Sequence, residues 1–382
     1  MGARPSDRRA GLAAVIVVTL AIGVLAGASS QIAPTPGADA VMDVIRRVQA
    51  GSLQLTWDGG SGYLRSLLKA LDVPVSSQVL ILASGSLQSS SIGAGNPRAL
   101  YFNDSVVIGW VRGGFIELIS HDANRGPRFY TLRQPAPGMQ MFTPESERCL
   151  TCHQTARTAG VAGLLLTPTH ARPFAERFGG WYVTGRHGGA PHFGNWDLSR
   201  GLPPPGADVF NWQSLTGKFD VTGYPTPYSD IVALMVLHHR VLMTNLFNRV
   251  REGGVAQSDL VNAVVDGMLF VDEARLPATV QGSSGFSDEF QALGPRDKKG
   301  RSLRDLQLTS RLMRYPCSYM IYSPQFDTLP APIKDAILRR LWDVLSGTVR
   351  SAQYDHLTLD TRRAIIEILR DTKRDLPRYY SL

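Results

Sequence analysis

The hydrophobic pattern divides the chain into four stretches of different texture. From Gly11 to Ala28 the residues are apolar or small without interruption, preceded by Arg4, Arg8 and Arg9 and followed by Ser29, Ser30 and Gln31. Residues 39–52 and 61–72 carry apolar side chains at helical spacing: Met42, Val44, Ile45 and Val48, then Tyr63, Leu64, Leu67, Leu68 and Leu71. That spacing predicts two short helices. From Val75 to Leu132 the texture changes to β-branched and aromatic runs, at Gln78–Ser84, Ala99–Phe102, Ser105–Val111, Phe115–His121 and Arg128–Leu132. Asn103-Asp104, Gly113-Gly114 and Asn124-Arg125-Gly126 separate them with turn chemistry, so an antiparallel meander of four or five strands is expected. Residues 135–227 lack periodicity and are rich in Gly, Pro, His and Trp. From Tyr228 onward helical periodicity returns over 229–251, 257–274, 300–314, 331–347 and 357–371.

The expected fold class is α+β: an N-terminal antiparallel β-meander, an irregular middle segment and a mainly α-helical C-terminal half. The expected division is 1–30, 31–134, 135–227 and 228–382. The first piece has the basic start, apolar centre and small-residue exit of a secretory signal, with Ala26-Gly27-Ala28 matching an A-x-A cleavage site. Left uncut, it is long enough to tether the chain to a membrane. Charges only before the run orient the rest outward. The expected location is therefore the periplasm or the outer face of the cytoplasmic membrane.

At 43% hydrophobic and 19% charged the composition is globular. The net charge of +8 comes almost wholly from scattered arginines. They read as a solvated surface, with some available to clamp carboxylates or to face an acidic partner. No basic run or aromatic signature of a nucleic-acid module is present, so no nucleic acid is expected as partner.

The most specific motif lies in the irregular stretch: Cys149-Leu150-Thr151-Cys152-His153. Two thiols at this spacing can add across the two vinyl groups of haem, and the adjacent imidazole can then take one axial position on iron. A single covalent haem c is the expected cofactor, with Cys149, Cys152 and His153 binding it. Two rival chemistries share the spacing: a redox disulfide, or half of a zinc site completed by Cys317 and a histidine. A haem is also an apolar body large enough to order an irregular segment.

A low-spin electron carrier needs a sixth ligand, whereas an open position permits small-molecule chemistry. His192 and His187 lie in a glycine-rich loop between Trp181 and Trp196, with Phe193 beside them, and are the leading candidates. His239 sits at helical spacing from Met235, Leu242, Met243 and Leu246 and is a further candidate metal ligand. Met320 could offer a thioether. Cys317, the odd thiol, reads as buried and inert, and His121, His170 and His356 as structural or exposed.

Several longer strings accompany the pentad. These are Gly62-Tyr63-Leu64-Arg65-Ser66-Leu67-Leu68, Asn96-Pro97-Arg98-Ala99-Leu100-Tyr101-Phe102-Asn103-Asp104, Phe129-Tyr130-Thr131-Leu132, Arg177-Phe178-Gly179-Gly180-Trp181-Tyr182-Val183-Thr184-Gly185 and Ser229-Asp230-Ile231-Val232-Ala233-Leu234-Met235-Val236. Over roughly residues 60 to 330 the chain resembles a family of secreted single-haem c-type cytochrome-domain proteins of environmental bacteria. The resemblance implies covalent haem and export, and no particular activity.

The leading expectation is thus a periplasmic or membrane-tethered c-type cytochrome that passes single electrons. Its partners would be a redox protein and the cytochrome c maturation machinery. The alternative is a haem enzyme of peroxidase type, or a small-molecule sensor, with an open distal site. There Arg186 and His187 could supply a charge and a base. A third reading makes haem a structural staple.

Overall fold

The computed structural model describes residues 1–2, 39–82, 85–122, 125–145, 147–166, 169–196, 201, 209–254 and 258–381. The apolar run Gly11–Ala28 lies outside the described residues. The chain divides into a unit of residues 1–33 and one of residues 34–382, and the description below concerns the second.

Among the described residues seven antiparallel strands form one sheet. They are β1 (Val79–Ile81), β2 (Arg98–Phe102), β3 (Val106–Trp110), β4 (Ile116–Asp122), β5 (Gly126–Ala136), β6 (Met139–Pro144) and β7 (Trp181–Tyr182). The order β6-β5-β4-β3-β2-β1-β7 is a meander with a short last strand added at the far edge. The expected strands are present. β6 was not expected, because Pro135, Pro137 and Gly138 punctuate its hairpin and mask the alternation.

The pleat assigns the two faces of the sheet to different jobs. On one, Leu80, Tyr101, Ile108, Trp110, Ile116, Leu118 and Leu132 pack against helices α1 (Ala40–Gln49) and α2 (Leu64–Ala70) through Val41, Val44, Leu64 and Leu67. Asp39 caps α1, its carboxylate accepting from the amides of Val41 and Met42. On the other face, Val79, Leu100, Phe102 and Val107 join the large core of the C-terminal half.

That core is built around α4 (Ile231–Gly253), capped by Asp230, with α5 (Ser258–Met268), α8 (Ala331–Leu345) and α9 (Leu359–Thr372). The architecture is therefore mixed α+β, with an antiparallel sheet in the first half and a mostly helical C-terminal half. Helix α4 is long and apolar enough to cross a membrane by length and composition, and 89% of its most apolar window is buried inside the protein.

The expected helix over 300–314 does not form. Gln307 turns its side-chain oxygen back onto the amides of Thr309, Ser310 and Arg311, and Leu308 adopts φ +54°. Local side-chain bonding of this kind competes with a helix. Helices α6 (Phe286–Ala292) and α7 (Pro324–Asp327) were not expected, and neither was α3 (Glu147–His153), which contains the pentad.

Candidate functional site

Two cross-strand rows on the second face of the sheet make one wall of a cavity of about 480 Å3. Gly109, Glu117 and Thr131 form one row, and Val107, Ile119 and Phe129 form the next. Helix α3 supplies the facing groups. Cys149 and Cys152, three residues apart on a helix, share a face, and both line the cavity together with His153. Ser86, Leu87, Thr155, Arg157 and Leu165 also line it.

His153 is oriented by a chain of contacts that starts in the core. Asn245 of α4 accepts the amide of Leu164 at 2.8 Å and donates to its carbonyl at 2.9 Å, and Asn248 donates to the carbonyl of Ala162 at 3.0 Å. These bonds fix the strip 162–164 on α4. Gly163 then donates its amide to the carbonyl of His153 at 2.9 Å. Its own carbonyl accepts from the imidazole Nδ1 at 2.8 Å. A carbonyl can only accept, so Nδ1 carries the proton and Nε2 keeps its lone pair. A Cβ at position 163 would come within 2.6 Å of the Asn245 side-chain oxygen, so the clamp requires glycine. The imidazole packs on Phe129, ring centroids 4.8 Å apart. Burial holds its pKa below the ordinary range, Arg98 pushes the same way, and the Gly163 carbonyl and Glu117 pull it up.

The thiols are unequal. Cys149 is half-buried, and burial, with Glu145 and Glu117 nearby, pushes its pKa up to about 11. Cys152 is exposed.

A second charged feature of the cavity has no counterpart in the sequence patterns. Arg98 of β2 reaches across β3 to Glu117 of β4, with 2.6 Å between Nη2 and the carboxylate. It passes over Gly109, where a Cβ would lie 2.4 Å from the guanidinium. Ser86 donates its hydroxyl to the same carboxylate at 3.2 Å. The Nε–H of Arg98 is buried and has no partner among the described residues. Finding this pair requires the strand register, because Arg98, Gly109 and Glu117 follow no local spacing rule.

The other candidate ligands lie elsewhere. His187 and His192 are both buried, 4.7 Å apart between ring centroids, in a box made by Phe174, Phe178 and Phe210. His192 accepts the amide of Gly194 on Nδ1 at 2.9 Å, and His187 accepts that of Asn211 on Nε2 at 3.2 Å. In each ring the remaining nitrogen therefore bears the proton, and that of His192 has no partner among the described residues. Neither residue lines the cavity of His153. Burial drives the pKa of His192 down to about 3, with His187 adding to it.

His239 is stacked on Phe270 at 4.1 Å and bonded through Nε2 to the Ser318 hydroxyl at 2.7 Å. With His170 and His238 it lines a separate space of about 10 Å3, the size of one water. Met320 and Cys317 are fully buried in the helical core, and burial pushes the Cys317 thiol up to about 12. Among the described residues no group of three or more His, Cys, Asp or Glu is placed to hold a metal ion, so Cys317 is not joined to the pentad.

A haem suits the residues around His153 on three grounds: two thiols on one helix face, an imidazole with a free lone pair, and apolar walls from Val107, Ile119, Phe129 and Leu165. Among the described residues no second imidazole, thioether or amine lines this cavity. The residues outside the described set include no His, Met, Cys or Lys. A scan against protein-family models, a search of curated proteins and a search of solved structures each gave no match to this chain.

Proposed function

We propose that the chain is an exported c-type haem protein with one haem joined through thioethers to Cys149 and Cys152 and ligated by His153. The observation that carries this reading is the Gly163 carbonyl on His153 Nδ1. It leaves the Nε2 lone pair for a metal on the same cavity that the two thiols line. Bound there, haem would supply one-electron chemistry. The chain's part is to tether the group by the two sulfurs, aim the imidazole, and keep water away with Val107, Ile119, Phe129 and Leu165. Arg148 and Arg157 add positive charge to the lining, suited to the group's carboxylates. The N-terminal apolar run supports the periplasm or the outer face of the membrane as the place of work, where maturation factors would attach the group and a redox protein would exchange electrons with it.

Within this reading, the composition of the cavity favours the open-faced alternative over a carrier with two protein ligands. With no second imidazole, thioether or amine among the lining residues, iron would keep one position for a small molecule.

The test is a haem stain on a denaturing gel, paired with visible spectra of the exported protein with and without carbon monoxide. Wild type is expected to stain and, once reduced, to bind carbon monoxide. Cys149→Ala with Cys152→Ala is expected to lose the stain entirely. Covalent haem retained in that double variant would sink the proposal.

A further inference from the structure

We propose that Arg98 and Glu117 form a proton-accepting binding site for a small protic ligand, with hydrogen peroxide as the physiological class. The inference deepens the haem reading above and rests on it.

The first reason is composition. The pair lines the same cavity as Cys149, Cys152 and His153, and these side chains are mostly buried, at 20% and 15% exposure. A buried ion pair is a weak source of stability, because desolvating two charges offsets most of their attraction. Here the geometry is demanding as well. The pair spans an intervening strand, needs a glycine beneath it, and leaves the Arg98 Nε–H without a partner among the described residues. A pair set on a cavity wall at such a cost points to a use in binding rather than in stability.

The second reason is complementarity. The guanidinium is a fixed positive donor. The adjacent carboxylate is an acceptor, already holding the Ser86 hydroxyl at 3.2 Å. A ligand that matches both must offer one atom that takes a hydrogen bond and one proton to give away. Carbon monoxide has no proton, and an anion such as chloride or a haem carboxylate would meet the charge of Glu117. Hydrogen peroxide has both features. On binding, one of its O–H bonds breaks, the proton passes to the Glu117 carboxylate, and the negative oxygen is held by the Arg98 N–H. No electron moves in this step.

Hydrogen cyanide is a suitable probe, since it too must lose a proton to bind ferric haem, by breaking its C–H bond. Carbon monoxide on the reduced protein is the control without a proton. In the full-length, haem-loaded protein, Glu117→Gln is expected to slow cyanide association on the order of 100-fold, the usual scale of acid–base assistance. Carbon monoxide association should change less than about twofold. Arg98→Gln should weaken cyanide binding about tenfold with a similarly small effect on carbon monoxide. Should either single variant fold poorly because one charge is left alone, Arg98→Gln with Glu117→Gln removes both charges together. That double variant must then show the same selective loss.

Equal slowing of both ligands, or no slowing of either, overturns the proposal. A wild-type protein that binds neither ligand overturns it as well, since iron would then be closed by the chain. In all these outcomes the haem stain stays positive and the covalent-haem reading survives. A negative stain in wild type brings down both.

Discussion

His153, half-buried, and His192, buried, are two imidazoles of the middle of the chain, and they are opposite in what they can offer. The ring of His153 gives its Nδ1 proton to a carbonyl and keeps a lone pair on Nε2. The ring of His192 receives an amide on Nδ1 and is left with a proton on Nε2. One is prepared to ligate and the other to donate, though the residue type is the same. The difference lies in the backbone group each nitrogen meets, a carbonyl from the strip pinned by Asn245 or an amide from Gly194. A histidine's capacity as a ligand is set by its other nitrogen.

If the chain carries haem as proposed, the strongest way to break this comparison is to remove each imidazole in the loaded protein. His153→Ala should eliminate the protein ligand and transform the visible spectrum. His192→Ala should leave the spectrum as in wild type and cost stability instead, about 2–4 kcal/mol for a large buried side chain cut back to Ala. Visible spectra and urea unfolding of the two variants check this. A change of iron spin state in His192→Ala would show that the loop reaches the iron after all.

A smaller effect is expected from the clamp behind His153. Gly163→Ala must push a methyl against Asn245, at a cost of about 1–3 kcal/mol for overpacking. Asn245→Ala, which strands both backbone groups of Leu164, should cost a similar ~1–3 kcal/mol. Both should broaden the haem absorption by loosening the imidazole. If Gly163→Ala leaves both stability and spectrum unchanged, the clamp does not orient His153.

The smallest effect is a slope in pH. The pKa values of His192, His238 and His239 are held near 3 and that of His121 near 4, with burial the main cause for each. Unfolded, such groups protonate near 6.5. The unfolded chain therefore binds more protons than the folded one between pH 6.5 and about 4, and stability falls as the solution is acidified through that window. Above pH 6.5 the full stability is present. Each group contributes about 1.4 kcal/mol per pH unit to the slope. His192→Ala should flatten it by one group's share in urea titrations at pH 6 and pH 5. An unchanged slope would place the imidazole of His192 in solvent.

The sequence announced the parts that depend on local rules. The pentad, the first five strands and helix α4 were legible because spacing and turn residues carry them. What depends on register or on a single side chain was not. The Arg98–Glu117 pair joins residues 19 apart across an intervening strand. The stretch 300–314 has helical periodicity, and Gln307 undoes it by bonding three amides of its own loop. The loop histidines had the right composition for a distal ligand, but Phe174, Phe178 and Phe210 enclose them in a box of their own. Asn245 and Gly163 carried no signal at all, since the helix and the loop they join lie 82 residues apart.

Helix α4 has one more consequence if the chain is exported as proposed. A polypeptide threaded unfolded through a translocation channel is tested segment by segment for lateral release into lipid, and Ile231–Gly253 has the length and hydropathy to be retained. Arg240, close to the middle of the helix, opposes that partition by about 2.5–3.5 kcal/mol, and its neighbours His238 and His239 are polar as well. In the folded protein Arg240 is fully buried, with two of its guanidinium nitrogens lacking a partner among the described residues. Its value would then lie in transit rather than in the finished fold, as a residue that keeps the core helix from becoming a stop-transfer segment.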